Sequence, residues 1–367
     1  MNYKILARKW RPKNFSEVVG QNYIIQTIKN SFILNKIHQA WIFCGTRGVG
    51  KTTIARLLSQ VLNCHHRKEE RACHICINCQ NIKNQCFPDI LEIDAASKTK
   101  VEDIKEILET TQYMPIQGKY KIYLIDEVHM LSKYSFNALL KILEEPPKYV
   151  KFILITTEIN KLPDTIISRC IFFNLQLIHY TDIQKHLINI LTLEKINFEI
   201  PALKIISEYA NGSIRDALNL TEQMILLSKN NITKKLTIQM LGILDKYHII
   251  KIIFSLLEKN AVQLIHLLNY IYDTNIELEQ IFITILKILH DIAILKKIPQ
   301  YNKMQECSKY QNKILQLSKL ITYTELQSYY KLILYGRKQL PLFPNIKIGI
   351  EITLLNVLHA VTNKLIF

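Results

Sequence analysis

The stretch AWIFCGTRGVGKTTIARLLSQVL, residues 40–62, reads as a strand, a loop and a helix in that order. AWIFC is a short apolar run bounded by glycine, and TTIARLLSQVL carries apolar residues at helical spacing. Between them the run Gly45, Thr46, Arg47, Gly48, Val49, Gly50, Lys51, Thr52 matches G-x-x-x-x-G-K-T, with Thr53 continuing into the helix. Glycines at those places allow positive φ and close approach, so that successive N–H groups can surround phosphate oxygens. The start of the helix adds partial positive charge. Lys51 is placed to reach the terminal phosphates, and the Thr52 hydroxyl to join the shell of a magnesium ion. A glycine-rich turn that happens to end in lysine is the plain alternative.

The chain downstream supports the phosphate reading. YKIYLIDEVHML, residues 120–131, suits a buried parallel strand ending in Asp126 and Glu127. Carboxylates at the carboxyl end of such a strand lie on the face where α/β folds bind ligands. There Asp126 would hold magnesium through water and Glu127 would polarise the attacking water of a hydrolysis. Alone, the pair would read as a solvated acidic strand end. DILEIDA (89–95), KFILITT (151–157) and CIFFN (170–174) supply further strands. Their alternation with helical stretches predicts an α/β, doubly wound parallel sheet. Thr157 ends one strand, where its hydroxyl either touches the terminal phosphate or caps the next turn.

A second chemistry follows within a dozen residues. CHHRKEERACHICINC, residues 64–79, offers four thiolates at Cys64, Cys73, Cys76 and Cys79 in the spacing C-x8-C-x2-C-x2-C. Four soft ligands close a tetrahedral zinc site, which with every position filled would be structural. An iron–sulfur cluster competes, since C-x2-C-x2-C also opens the ferredoxin run. That run wants another cysteine after three intervening residues, where this chain has Lys83. The polar segment HHRKEERA buries too little apolar surface to order itself without the metal. Cys44, Cys86, Cys170 and Cys307 are expected to be buried small hydrophobes.

Composition bounds the rest. A chain of 367 residues needs two or three domains. Hydrophobic and charged contents of 49% and 21% belong to the soluble globular class. The net charge of +16 reads either as a surface for nucleic acid or as the lysine habit of a chain rich in Ile, Lys and Asn. Lys4, Arg8, Lys9, Arg11 and Pro12 break the amino terminus, so no secretory leader is expected there. Lys287, His290 and Asp291 break the most apolar later run, so no membrane partner is expected. A cytoplasmic protein is expected, and in that reducing compartment eight cysteines point to metal rather than disulfides.

LARKWRPKNFSEVVGQ, GTRGVGKTT, EIDAASKTKVEDI, YLIDEVHMLS, NALLKILEEPP, LPDTIISRC and GSIRDALNLTEQ occur in order along almost the whole chain. Together they resemble the gamma/tau subunits of the bacterial DNA polymerase III clamp loader, which are AAA+ ATPases. The resemblance implies that Arg169 is an arginine finger reaching a neighbouring subunit's site. It implies that Arg215 senses the γ phosphate within the same chain, that Thr157 is a sensor, and that LARKWRP and VVGQ line the adenine pocket. Without the resemblance each arginine reads as a surface ion pair. The implied function is an ATP-hydrolysing subunit that opens the sliding clamp and loads it on primed DNA, with no polymerase chemistry of its own. Its implied partners are delta- and delta-prime-type subunits, further copies of itself, the clamp and DNA. Lys98, Lys100 and Lys141 are candidate DNA backbone contacts, or ordinary surface lysines. The family also carries a zinc module at this place.

The implied organisation is an AAA+ domain over 1–178 with the zinc module at 64–79, a helical lid over 179–242 and a helical collar over 243–367. Pro201 and Gly212 should break the lid helices. In the collar Leu278, Ile281, Phe282, Ile285, Leu286, Leu289 and Ile292 follow one helical face. Ile283, Ile288 and Ile294 widen it, as a subunit interface or a thick core would, and the resemblance favours the interface. A chain ending at Phe367 resembles the short gamma form, without the regions that contact helicase and polymerase in the longer form. Two other functions fit less well: a hexameric remodelling motor, which would lack the SRC context and the cysteines, and a non-hydrolysing scaffold, which would lack Lys51, Glu127 or Arg169.

Overall fold

The apolar runs become the strands of one parallel sheet, buried along the whole of 40–44 and 150–156 near its centre and partly exposed at its edges, 90–94 and 171–174. They are β1 (Ala40–Cys44), β2 (Ile90–Asp94), β3 (Lys121–Asp126), β4 (Val150–Thr156) and β5 (Ile171–Asn174), in the order β2-β3-β4-β1-β5. The computed structural model describes residues 5–67, 71–97, 106, 109–243, 246–272, 278–298 and 308–360. Lys98, Lys100 and Cys307 lie outside them. The described chain forms two compact units, residues 1–234 and 235–367.

Side chains of the first unit's sheet alternate between two cores. Trp41, Phe43, Leu124 and Ile153 face α2 (Asn22–Ile33) and α3 (Lys51–Leu62). Ala40, Ile42, Tyr123 and Phe152 face the opposite core, with α5 (Lys133–Glu144) and α6 (Asp164–Ile167). Among the described residues, the other α-helices given before α5 are α1 (Leu6–Lys9) and α4 (Ile77–Lys83). Because β4 lies between β1 and β3, with Cys44 level with Thr156, the strand ends carrying the phosphate loop, Thr157 and the Asp126–Glu127 pair lie side by side.

The first unit ends in helices α7 (Tyr180–Leu193), α8 (Ile200–Tyr209) and α9 (Ile214–Ser228). Pro201 sits in the first turn of α8, where its missing N–H costs nothing. Gly212 takes φ +81° just before α9, whose Ser213 cap accepts from the Asp216 amide. The lid expected to be helical over 179–242 also contains strand structure. β6 (Asn197–Phe198) pairs in parallel with β7 (Asn231–Ile232), and two residues are too few to show a period.

Helix α10 (Lys234–Met240) starts at the division between units. The second unit contains α11 (Lys246–Leu257), α12 (Ala261–Tyr272), α13 (Glu279–Lys297), α14 (Ser308–Leu320), α15 (Tyr323–Gln339) and α16 (Ile346–Ala360). Thr322 and Glu325 form a capping box at the start of α15. Gly336 lets α15 approach α16 so closely that a Cβ there would overlap Thr353. The wide apolar surface of α13 is covered within the chain by α11, α14 and α15. Ile281, Phe282, Ile285 and Ile288 are buried in that core. Of the residues that widen the face, Ile288 is buried in that core, whereas Ile283 and Ile294 are half-buried. No described helix is long and apolar enough to cross a membrane.

Candidate functional site

A cleft of ≈ 840 Å³ opens over the amino end of α3. Its floor is the loop 45–52, where Gly45, Gly48 and Gly50 take φ values of +147°, +84° and +103°. A side chain at Gly48 would collide with the Ser213 hydroxyl, so the loop can pass under the start of α9 only as glycine. Lys51 is buried, and its Nζ donates to the Gly45 and Thr46 carbonyls at 2.7 and 2.8 Å. Burial lowers its pKa from the ordinary lysine value, while the Glu127 and Asp126 carboxylates and Cys44 act the other way. A buried cation held only by loop carbonyls is suited to exchange them for phosphate oxygens.

The Thr52 hydroxyl donates to Asp126 Oδ2 at 3.0 Å, joining the loop to the end of β3. Burial raises the Asp126 pKa above the usual carboxylate value, opposed by the hydrogen bonds from Thr52 and the Glu127 amide. Glu127 adopts φ +49°, a left-handed conformation that costs a non-glycine residue of order 1 kcal/mol. That turn brings its carboxylate to Thr157, whose Oγ1 donates to Glu127 Oε2 at 3.1 Å. Thr52, Asp126 and Glu127 line the cleft, as do Arg47, Val49, Thr53 and Arg215.

Arg169 does not join them. Its guanidinium lies against Glu144 Oε1 at 2.8 Å and the Thr165 carbonyl at 2.7 Å, at the end of α5. Lys141 is exposed on the same helix.

The amino-terminal segment forms a wall of the cleft through Ala7, Arg8, Trp10 and Arg11. It is fastened to the helices that follow β5. The Leu6 amide donates to Glu222 Oε2 at 3.2 Å, while Trp10 Nε1 donates to Glu194 Oε1 and Lys9 Nζ to Glu194 Oε2, both at 2.7 Å. These bonds hold the Glu194 pKa below the usual range, the one from Lys9 most. Glu194, Ser213 and Asn219, which also lines the cleft, carried no role in the sequence reading. Ser213, two residues before Arg215 in the quoted GSIRDALNLTEQ stretch, is the one a capping signal could have found.

The sulfurs of Cys64, Cys73, Cys76 and Cys79 lie within 4.8 Å of one another. Tetrahedral zinc–thiolate bonds place sulfurs about 3.8 Å apart, and Cys73 and Cys79 are at 4.0 Å. The Cys73 amide donates to Cys64 Sγ and the Cys76 amide to Cys73 Sγ, at 3.2 and 3.3 Å. Such N–H donors favour thiolate, the form that binds metal. The donor set therefore fits a soft metal ion. Cys64 and Cys79 are also part of the core beneath α3, so the cluster is built into the sheet's packing. The adjoining His74 ties it outward, with Nε2 2.9 Å from Asn14 Oδ1 and Nδ1 3.2 Å from Gln60 Nε2. Cys44 is buried and Cys170 half-buried, whereas Cys86 is exposed, which corrects its assignment as a buried hydrophobe. It follows the turn at Gln85 (φ +59°), outside the strand pattern that buries Cys44.

A parallel sheet with the strand following the acidic strand inserted beside the phosphate loop, closed by a helical segment that supplies an arginine, defines an AAA+ ATPase. Three family models divide the chain between them. Residues 20–179 match "DNA polymerase III, delta subunit", 182–230 "DNA polymerase III clamp loader subunit, ATPase lid domain", and 232–364 "DNA polymerase III subunits gamma and tau domain III". DNA polymerase III subunit gamma of Buchnera aphidicola subsp. Baizongia pistaciae is 47% identical, over 100% of this chain and 99% of that protein. Subunit tau of Escherichia coli is 43% identical over 98% of this chain but 56% of that longer protein. Among solved structures, the Thermotoga maritima RuvB Holliday junction branch migration motor aligns at TM-score 0.48 and 22% identity, over 68% of this chain and 80% of that one. The chain belongs to the gamma/tau family of DNA polymerase III, the ATPase subunits of its clamp loader.

Proposed function

We propose that the chain binds ATP in the cleft over α3 and that, within an assembled clamp loader, its turnover drives the opening of the sliding clamp and its loading on primed DNA. The observation that carries this reading is the separation of the charges. Lys51, Arg215 and Arg47 meet in the cleft, whereas Arg169 lies outside it on an exposed ion pair. The cleft thus has what binding needs, and the arginine that would complete hydrolysis is presented to a neighbour. ATP then favours one geometry of the assembly, which is how binding energy becomes a switch.

In this account Gly45, Gly48 and Gly50 aim loop amides at the phosphates, and Lys51 exchanges its carbonyl partners for phosphate oxygens. Thr52 and Asp126 would hold magnesium, which neutralises phosphate charge. Glu127 orients the attacking water, Thr157 links that carboxylate to the phosphate end of the site, and Arg215 reports nucleotide from the lid. The wall from Ala7 to Arg11 encloses the base. Zinc on Cys64, Cys73, Cys76 and Cys79 would fix the segment 64–79 and, with all positions filled, leave no place for a reactive water.

We assign residues 1–178, 179–242 and 243–367 to AAA+, lid and collar. Delta- and delta-prime-type subunits and further copies of the chain are the assembly partners, in the cytoplasm. Lys141 remains a candidate for DNA backbone contact. The test is transfer of labelled clamp to circular primed DNA by the reconstituted complex. Transfer that requires ATP and disappears with Lys51→Ala supports the reading, and transfer unaffected by Lys51→Ala in every copy contradicts it.

A further inference from the structure

His129 lies just beyond the acidic pair, in the turn Val128–Met130, with its side chain 6% exposed. Its Nδ1 is 3.0 Å from the buried Thr156 hydroxyl. That hydroxyl donates to the Glu158 carbonyl at 3.2 Å and accepts from the Glu158 amide at 3.0 Å. A hydroxyl has one proton to give, so its partner nitrogen on the ring must carry the hydrogen between them. The same N–H edge faces Glu127 Oε2 at 3.4 Å. On the other side of the ring, Nε2 is 3.6 Å from Glu158 Oε1, which is paired with Lys161 at 2.9 Å.

Thr157 donates to Glu127 Oε2 directly, and the ring of His129, whose Nδ1 hydrogen goes to Thr156, packs 3.4 Å from the same oxygen. Oε1 is left as the oxygen available to a water molecule. Orientation matters here because glutamate has three rotatable bonds and this side chain is one-third exposed. A base that wanders by an ångström can lose about 10²-fold in rate. The imidazole itself does not line the cleft, so it acts on the reaction only through Glu127.

We propose that His129 is a positioning residue for hydrolysis, holding the Glu127 carboxylate in the orientation from which it directs the attacking water. The inference rests on the reading of Glu127 as the group that orients water, and the experiment separates the two. In the reconstituted complex, nucleotide affinity and single-turnover hydrolysis are measured for Glu127→Gln, His129→Ala, His129→Gln and Thr156→Val. Glu127→Gln is expected to bind nucleotide and not turn over; if it hydrolyses normally, the reading of Glu127 fails. His129→Ala is expected to lower the hydrolysis rate about 10- to 100-fold with nucleotide affinity within about twofold. His129→Gln, which keeps an N–H donor, should recover part of the loss, and Thr156→Val should show a smaller loss of the same kind. An inactive Glu127→Gln beside a His129→Ala of normal rate overturns the inference alone. So does a His129→Ala whose affinity and melting temperature fall with its rate and whose rate His129→Gln does not improve.

Discussion

Arg169 donates to Glu144 Oε1 at 2.8 Å on its own chain and does not line the cleft over α3. Its side chain is 34% exposed and that of Glu144 53%, so the pair is screened and contributes little, about 0–1 kcal/mol. An arginine held so lightly can leave for a more strongly negative partner without unsettling the fold. Arg169→Ala should accordingly leave nucleotide affinity and melting temperature unchanged and remove the stimulated part of hydrolysis in the complex. The measurement is turnover of the assembled complex beside equilibrium binding by the isolated chain. Unaltered turnover would remove the finger assignment.

The anchor between the amino-terminal wall and Glu194 gives a second prediction. Glu194→Ala frees both Trp10 Nε1 and Lys9 Nζ, so the wall of the cleft keeps only the Leu6–Glu222 bond among its named fastenings to the helices after β5. Nucleotide affinity should fall about three- to tenfold, near 1 kcal/mol, as expected for bonds to a charged acceptor. Titration with a fluorescent nucleotide reads this directly. An affinity equal to that of the unaltered chain would mean the wall stands without Glu194.

Lys151 in β4 predicts a pH dependence. Its Nζ is buried, donates to the Ile37 carbonyl at 3.2 Å, and lies over the Tyr120 ring. Burial, and then the charge of Lys119, lower its pKa to about 8 from 10.5. Between those values the unfolded chain holds a proton that the folded one has lost, so stability rises with pH across that window. The expected gain from pH 7.5 to 9.5 is at most about 2 kcal/mol. Lys151→Met should reduce the slope by that amount. Parallel pH profiles of the two proteins, measured by denaturant titration, would dismiss the assignment.

The cysteine cluster predicts that metal and sheet are lost together, because Cys64 and Cys79 pack in the core beneath α3. Zinc analysis should find one ion per chain. Chelation, or Cys76→Ser, should lower the melting transition of the unit 1–234, while Cys86→Ser, an exposed position, should leave it unchanged. A chain that carries zinc but melts identically without it would refute the structural role.

Much of this was legible beforehand, for identifiable reasons. Strands buried on both faces are continuous apolar runs, and AWIFC coincides with β1 residue for residue. The phosphate loop declares itself through glycines whose positive φ the fold then requires. What escaped the reading had no periodic signal. The β6–β7 pair is two residues long on each side. Asp89 is buried and accepts the Ile116, Gln117 and Gly118 amides, each at 2.7 Å, to shape the loop before β3, yet in sequence it is one more aspartate after a proline. His129 sits within a recognised motif, but its contacts come from Thr156 and Glu158, about thirty residues on, and only the adjacency of β3 and β4 brings them together. The width of the α13 apolar face was visible, whereas which helices cover it is a property of the packed bundle.

Whether hydrolysis drives loading is decided by ATP turnover of the chain mixed with its partner subunits and the sliding clamp, with and without primed DNA. A large rise that needs both clamp and primed junction is expected, and it should be absent when Lys51→Ala replaces the chain. A flat response from a fully assembled complex would contradict hydrolysis-driven loading, leaving ATP as a ligand that holds the assembly together without driving it.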